Sequence, residues 1–184
     1  MPKVIEDLKE RILKQVRLYL KQNNTANFSL RQLAKDCDIA LGTIYNYFPN
    51  KEHLLATVML EDWQIVLETI NQKIKQSDTA LNGFLEISEQ LNNYCQNYEQ
   101  VWWSSKSSLT TSSFASRHII LRKQLESCLE NLSNYFNLNS SPAITKALAE
   151  ILLAGASHHD LNKEDLTELF CCLYKEEKCQ VSRI

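Results

Sequence analysis

Only three glycines and three prolines occur among the 184 residues, and that scarcity removes several classes of protein. A sheet protein built on tight turns needs more of both, and a glycine-rich phosphate loop has nowhere to form. No apolar run approaches the roughly 18 residues of a membrane-crossing helix. The opening stretch MPKVIEDLKERILK lacks the apolar centre of a secretory signal, so the expected location is the cytoplasm. Six cysteines, Cys37, Cys95, Cys128, Cys171, Cys172 and Cys179, form no C-x-x-C pair and no compact framework. They are expected to be small buried or half-buried thiols. His158 and His159 are adjacent, which on a helix splays them by about 100°, and neither has a Cys or His three or four residues away. With no nucleophile–base or metal-ligand constellation in view, an enzyme, a cofactor and a metal site are not expected.

What the chain does contain is long runs rich in Leu, Ile, Ala, Glu, Lys and Gln, with 44% hydrophobic and 23% charged residues. The composition reads as all-α. The net charge of -2 hides an asymmetry: residues 1–55 hold nine basic and six acidic residues, and the remainder 11 and 16. A mildly basic head on an acidic body suits local contact with phosphate.

Helical spacing of Ile5, Leu8, Ile12, Val16 and Leu20 predicts a first amphipathic helix ending near Asn23-Asn24. In NFSLRQLAKD, Ser29 is placed to cap the next helix and Gln32 to reach back to it. Phe28 and Leu33 are spaced for a hydrophobic staple. Cys37-Asp38 interrupts that short helix, a second short helix fits 40–48, and Pro49 closes it. Asn50 then caps a long helix with Leu54, Leu55, Val58, Trp63, Val66, Leu67, Ile70 and Ile74 along its stripe. Two short helices joined by a tight turn make a helix-turn-helix unit, with Leu33, Ala34, Ile39, Ile44 and Phe48 where the helices cross.

The face left over carries Arg31, Leu41, Gly42, Thr43, Tyr45, Asn46 and Tyr47. A helix in the major groove reads bases while flanking groups fix it to phosphates. Gly42 would let the backbone approach closely, and Thr43 offers a hydroxyl to phosphate and a methyl to thymine. Tyr45 and Tyr47 present phenols, Lys51 adds a charge at the start of the next helix, and Arg31 suits a guanine.

Residues 28–55, FSLRQLAKDCDIALGTIYNYFPNKEHLL, resemble the DNA-binding signature of the TetR family of bacterial transcriptional regulators. Ser29, Leu33-Ala34, Gly42-Thr43-Ile44-Tyr45, Tyr47-Phe48, Lys51-Glu52 and Leu54-Leu55 fit its pattern in order and spacing. Cys37-Asp38 stands where the family usually has Ala-Gly, and Ala40 where a serine commonly caps the recognition helix. The resemblance implies an all-helical protein of about nine helices. Residues 1–50 would form the DNA-binding domain, with contacts from Ser29, Arg31, Leu41, Gly42, Thr43, Tyr45, Asn46, Tyr47 and Lys51. Residues 51–184 would form a ligand-binding and dimerisation domain. The function so implied is repression, relieved when a small molecule releases a homodimer from a palindromic operator. The rival is a TetR-like adaptor that acts through a protein partner with weak or no DNA binding, the direction in which Ala40 and Leu41 point.

Beyond residue 77, helices are expected over about 79–97, 115–137, 142–156 and 163–178. A loop is expected at 104–116, where nine of thirteen residues are Ser or Thr. Phe84, Tyr94, Tyr98, Trp102, Trp103 and Phe114 either line an aromatic pocket or form an aromatic core, and the resemblance tips the reading toward a pocket. Small residues in PAITKALAEILLAGAS suit close helix contact. Ala147, Ile151, Ala154 and Gly155, with Leu166 and Phe170 on the last helix, are the expected dimer face.

Overall fold

The computed structural model describes residues 3–21, 28–105, 111–158 and 160–174. Among them every regular element is helical. In chain order they are α1 (Lys3–Lys21), α2 (Leu30–Asp36), α3 (Leu41–Tyr47), α4 (Lys51–Gln76), α5 (Ala80–Ser105), α6 (Thr111–Tyr135), α7 (Pro142–His158) and α8 (Lys163–Tyr174). None of these helices is long and apolar enough to cross a membrane. The chain divides into two compact units. The first comprises Met1–Gln64 with Asn97–Ser108, the second Ile65–Gln96 with Leu109–Ile184.

In the first unit, α1 buries Ile12, Leu13, Val16, Tyr19 and Leu20. These are the central and last positions of the predicted stripe together with their neighbours at i+1 and i+3. Phe28, Leu33, Ala34, Ile44, Phe48, Leu54, Val58 and Trp63 are buried in the same unit. Polar groups finish what this apolar packing leaves open. Arg17 Nε donates to Asp62 at 2.7 Å and Arg17 Nη2 to Glu61 at 2.8 Å, while the Tyr98 hydroxyl donates to the other Asp62 oxygen at 2.6 Å. One carboxylate thus ties α1, α4 and α5.

The second unit is held mainly by apolar packing. Leu125, Cys128, Leu129 and Leu132 on α6 are buried, as are Leu148, Ala149, Leu152, Leu153 and Ala156 on α7. Arg122, paired with Glu126 at 2.7 Å and Glu150 at 3.1 Å, adds an ionic link between these helices. Phe84 stacks on Phe170 with ring centroids 5.1 Å apart, and Phe170 on Tyr174 at 4.8 Å.

Three expectations need correcting here. Of the stretch foreseen as a loop, 104–105 are helical at the end of α5 and 111–116 at the start of α6, while 106–110 lie outside the described residues; serine and threonine are only mildly unfavourable inside helices, and the flanking helices carry them. Gly155, Leu166 and Phe170 serve their own chain. A Cβ at Gly155 would lie 2.5 Å from Leu161 Cδ1, so the neighbour that needs the small residue is Leu161. Leu166 and Phe170 are fully packed within the second unit. Finally, Cys171 is disulfide-bonded, whereas Cys37, Cys95, Cys128 and Cys172 are free thiols. Cys179 and His159 lie outside the described residues.

Candidate nucleic-acid interface

Local chemistry sets the boundaries of α2 and α3. The Ser29 hydroxyl accepts from the Gln32 amide at 3.1 Å, as an N-cap should. Gln32 does not return the bond. Its side-chain nitrogen donates to Asp36 Oδ1 at 2.7 Å, and the Tyr19 hydroxyl donates to Asp36 Oδ2. Burial, then the bond to Asp36 and its charge, push the Tyr19 phenol up to about 12. The predicted staple residues, Phe28 and Leu33, are both buried, and the Phe28 ring stacks on Tyr19 at 5.1 Å.

Asp38 makes the turn. Its φ of 51° lies in the left-handed region that the family's usual glycine would occupy at less cost. The Ile39 amide donates to the Ala34 carbonyl at 2.9 Å, and Arg11 Nη2 donates to the Cys37 carbonyl at 2.9 Å. These bonds satisfy carbonyls that the end of α2 leaves without helical partners. Ala40 stands at the N-cap of α3 with no side-chain bond. Asn50 caps α4 by accepting from the His53 amide at 2.7 Å.

The exposed surface of α2 and α3 assembles most of the expected contact residues. Ser29, Arg31, Gly42, Tyr45 and Asn46 are exposed, and Leu41, Thr43 and Tyr47 half-buried. Ile44 and Phe48 face inward at 0% and 1% exposure. A Cβ built at Gly42 would meet nothing within 4 Å, and its φ is not positive. Nothing inside the chain therefore asks for glycine at that position.

Lys51, expected as a phosphate contact, also has a structural role that sequence reasoning missed. It is half-buried, its Nζ donates to the Phe28 carbonyl at 2.8 Å, and it lies 4.2 Å from the centroid of the Phe28 ring. Burial pulls its pKa below the ordinary lysine value, with Glu52 opposing. The ammonium thus holds the entry to α2. A cation one residue after an asparagine cap looks like an anion contact in sequence; only a carbonyl 23 residues away reveals its other use.

In the second unit, an open cleft of about 660 Å³ is lined by Lys73, Asp78, Asn82, Glu86, Glu89, Asn92, Gln96 and Lys163, among others. Its lining is mostly polar, with Leu85, Leu161 and Leu166 also on its walls. None of the aromatic residues put forward for a pocket lines it. Phe84 and Tyr94 are buried in the core of the second unit and Tyr98 in that of the first. The side chains of Trp102, Trp103 and Phe114 lie outside the described residues.

A capped short helix, a left-handed turn and a second short helix with an exposed outer face define a helix-turn-helix protein. Residues 12–58 match the family model described as bacterial regulatory proteins, tetR family. The matched span contains the whole of the signature read at 28–55 and bears out that resemblance. The whole chain is similar in fold to a TetR-family transcriptional regulator from Haemophilus influenzae. That likeness covers 94% of this chain and 97% of the other, with a TM-score of 0.54 at 18% identity. No curated protein matches the sequence.

Proposed function

We propose that the protein is a cytoplasmic, homodimeric transcriptional repressor that binds a pseudo-palindromic operator through residues 29–51 and leaves it when a small molecule binds within residues 51–184. The observation that carries the DNA reading is Gly42. It is exposed, free of any contact that would exclude a side chain, and in a backbone conformation open to any residue. A glycine in a helix costs about 0.5–1 kcal/mol against alanine, and close approach of a partner backbone is what offsets that cost. Arg31, Leu41, Thr43, Tyr45, Asn46 and Tyr47 surround it as the contact face, with Ser29 at its edge.

Lys51 positions this face. Two copies of the unit, related by twofold symmetry, match two half-sites. The dimer contact in this reading is the solvent side of α7, where Ala143, Ala147 and Ala154 are exposed and Ile151 half-buried. The polar cleft is the place for the effector, which by its lining is a hydrogen-bonding molecule rather than an aromatic one.

The test is a mobility-shift assay on the gene's own upstream DNA across a salt series. Specific binding that weakens steeply with salt is expected. Gly42→Ala should keep or raise thermal stability while weakening operator binding roughly tenfold, about 1.4 kcal/mol. Undiminished binding by that variant removes the argument. Failure of every upstream fragment to bind, with a protein partner co-purifying, replaces the repressor with the adaptor.

A further inference from the structure

The arrangement of α3 goes further than contact with DNA and specifies which bases it suits. Ile44 is fully buried and marks the inward direction of the helix. At about 100° per residue, positions two before and two after it lie some 160° away. Those positions are Gly42 and Asn46, four residues apart and so in line on one edge of the helix. Both are exposed. The outermost line of α3 is therefore a bare stretch of backbone followed by one carboxamide, with Thr43 on one flank and Leu41 and Tyr45 on the other.

None of the seven residues of α3 is charged. The usual reader of guanine in the major groove, an arginine or lysine donating to two acceptors at O6 and N7, is absent from this helix. Asn46 offers one donor and one acceptor, the complement of adenine N6 and N7. Guanine presents two acceptors there and leaves the carboxamide oxygen facing another oxygen. The Thr43 methyl and Leu41 side chain suit a thymine methyl. The exposed guanidinium expected to suit a guanine, Arg31, belongs to α2.

We propose that Asn46 reads an adenine at the centre of each half-site, in an A·T stretch, and that guanine is read only outside it. This rests on the DNA-binding function proposed above. Because Asn46 is exposed, its replacement leaves the packing of Ile44 and Phe48 intact.

The experiment is selection of bound duplexes from a random-sequence library by the full-length protein and by Asn46→Ala, with circular dichroism to verify folding. The wild type should enrich a palindrome whose half-site centres are A·T. Asn46→Ala should lose the preference at one base pair per half-site while keeping the outer positions, and should bind the wild-type sequence at least about fivefold more weakly, the low end for a bidentate base contact. Deoxyuridine in place of thymine at the centre should weaken binding by the wild type. Identical sequences selected by both proteins, or G·C at the position that depends on Asn46, overturn the assignment while leaving DNA binding in place. Enrichment of no sequence by the wild type overturns both.

Discussion

The unit that carries α1 to α3 and the unit that carries α6 to α8 stabilise their helices by different means. In the first, α2 and α3 have seven residues each, well short of the ~12–15 at which an isolated helix becomes even marginal in water. They bury only Leu33, Ala34 and Ile44 along their lengths. Bonds from cations to main-chain carbonyls supplement that burial: Arg11 to Cys37 and Lys51 to Phe28. In the second unit α7 alone buries seven residues over 17, and Arg122 joins carboxylates on two long helices without touching a carbonyl at a turn. A helix kept short so that nearly all of its outer face is surface cannot hold itself by burial. It must be fixed by hydrogen bonds at its ends.

That contrast can be broken most forcefully from the apolar side. Phe170→Ala, at a fully buried ring that packs on Phe84 and Tyr174, should cost about 3–5 kcal/mol in urea unfolding. A loss below about 1 kcal/mol would mean the second unit does not depend on its core in this way.

The polar side is tested by Lys51→Met, which keeps the apolar stem and deletes the ammonium. Leaving the Phe28 carbonyl unpaired should cost about 1–2 kcal/mol. Operator affinity should fall with the slope of log affinity against log salt unchanged. A slope shallower by about one is the mark of a lost phosphate contact and would return Lys51 to the interface.

A third test separates the units by pH. Burial lifts the Cys95 and Cys128 thiols in the second unit to about 11, and Tyr19 in the first stands at about 12. Each group has a higher pKa folded than unfolded, so the native state holds more protons in the window between the two values and stability falls as pH rises through it. Urea midpoints should decline from about pH 9 upward. Cys128→Ala should flatten the part between about 9 and 11, and Tyr19→Phe the part between about 10 and 12.

The comparison also explains what could be read in advance. The bounds of the helix-turn-helix were legible because each rests on contacts within four residues: Ser29 to Gln32, Asp38 in its left-handed turn, Asn50 to His53. The bland face of α3 was legible as well, since its residue types lie in one short stretch. Partners from farther away were not. Tyr19 bonds Asp36, and Lys51 the Phe28 carbonyl, only because the fold brings them together. Leu166 and Phe170 looked available for a second copy because hydrophobic spacing does not say which surface covers it. The aromatic residues read equally as core and pocket, and the polar cleft left no periodic trace because carboxamides and charges along α5 resemble any solvated face.

The sequence by itself determined the all-helical class, the position of the helix-turn-helix and the resemblance to TetR regulators, because these depend on periodicity and on caps and turns that act between near neighbours. Only the tertiary structure decided that Lys51 serves the Phe28 carbonyl and that Gly42 has open space above it. It also decided that Asp62 is shared by Arg17 and Tyr98, and that Gly155 makes room for Leu161. The Lys51 and Asp62 bonds join partners 23 to 45 residues apart, and the space beside Gly42 or Gly155 depends on how the chain packs; distance along the sequence carries no information about which groups the fold brings within reach.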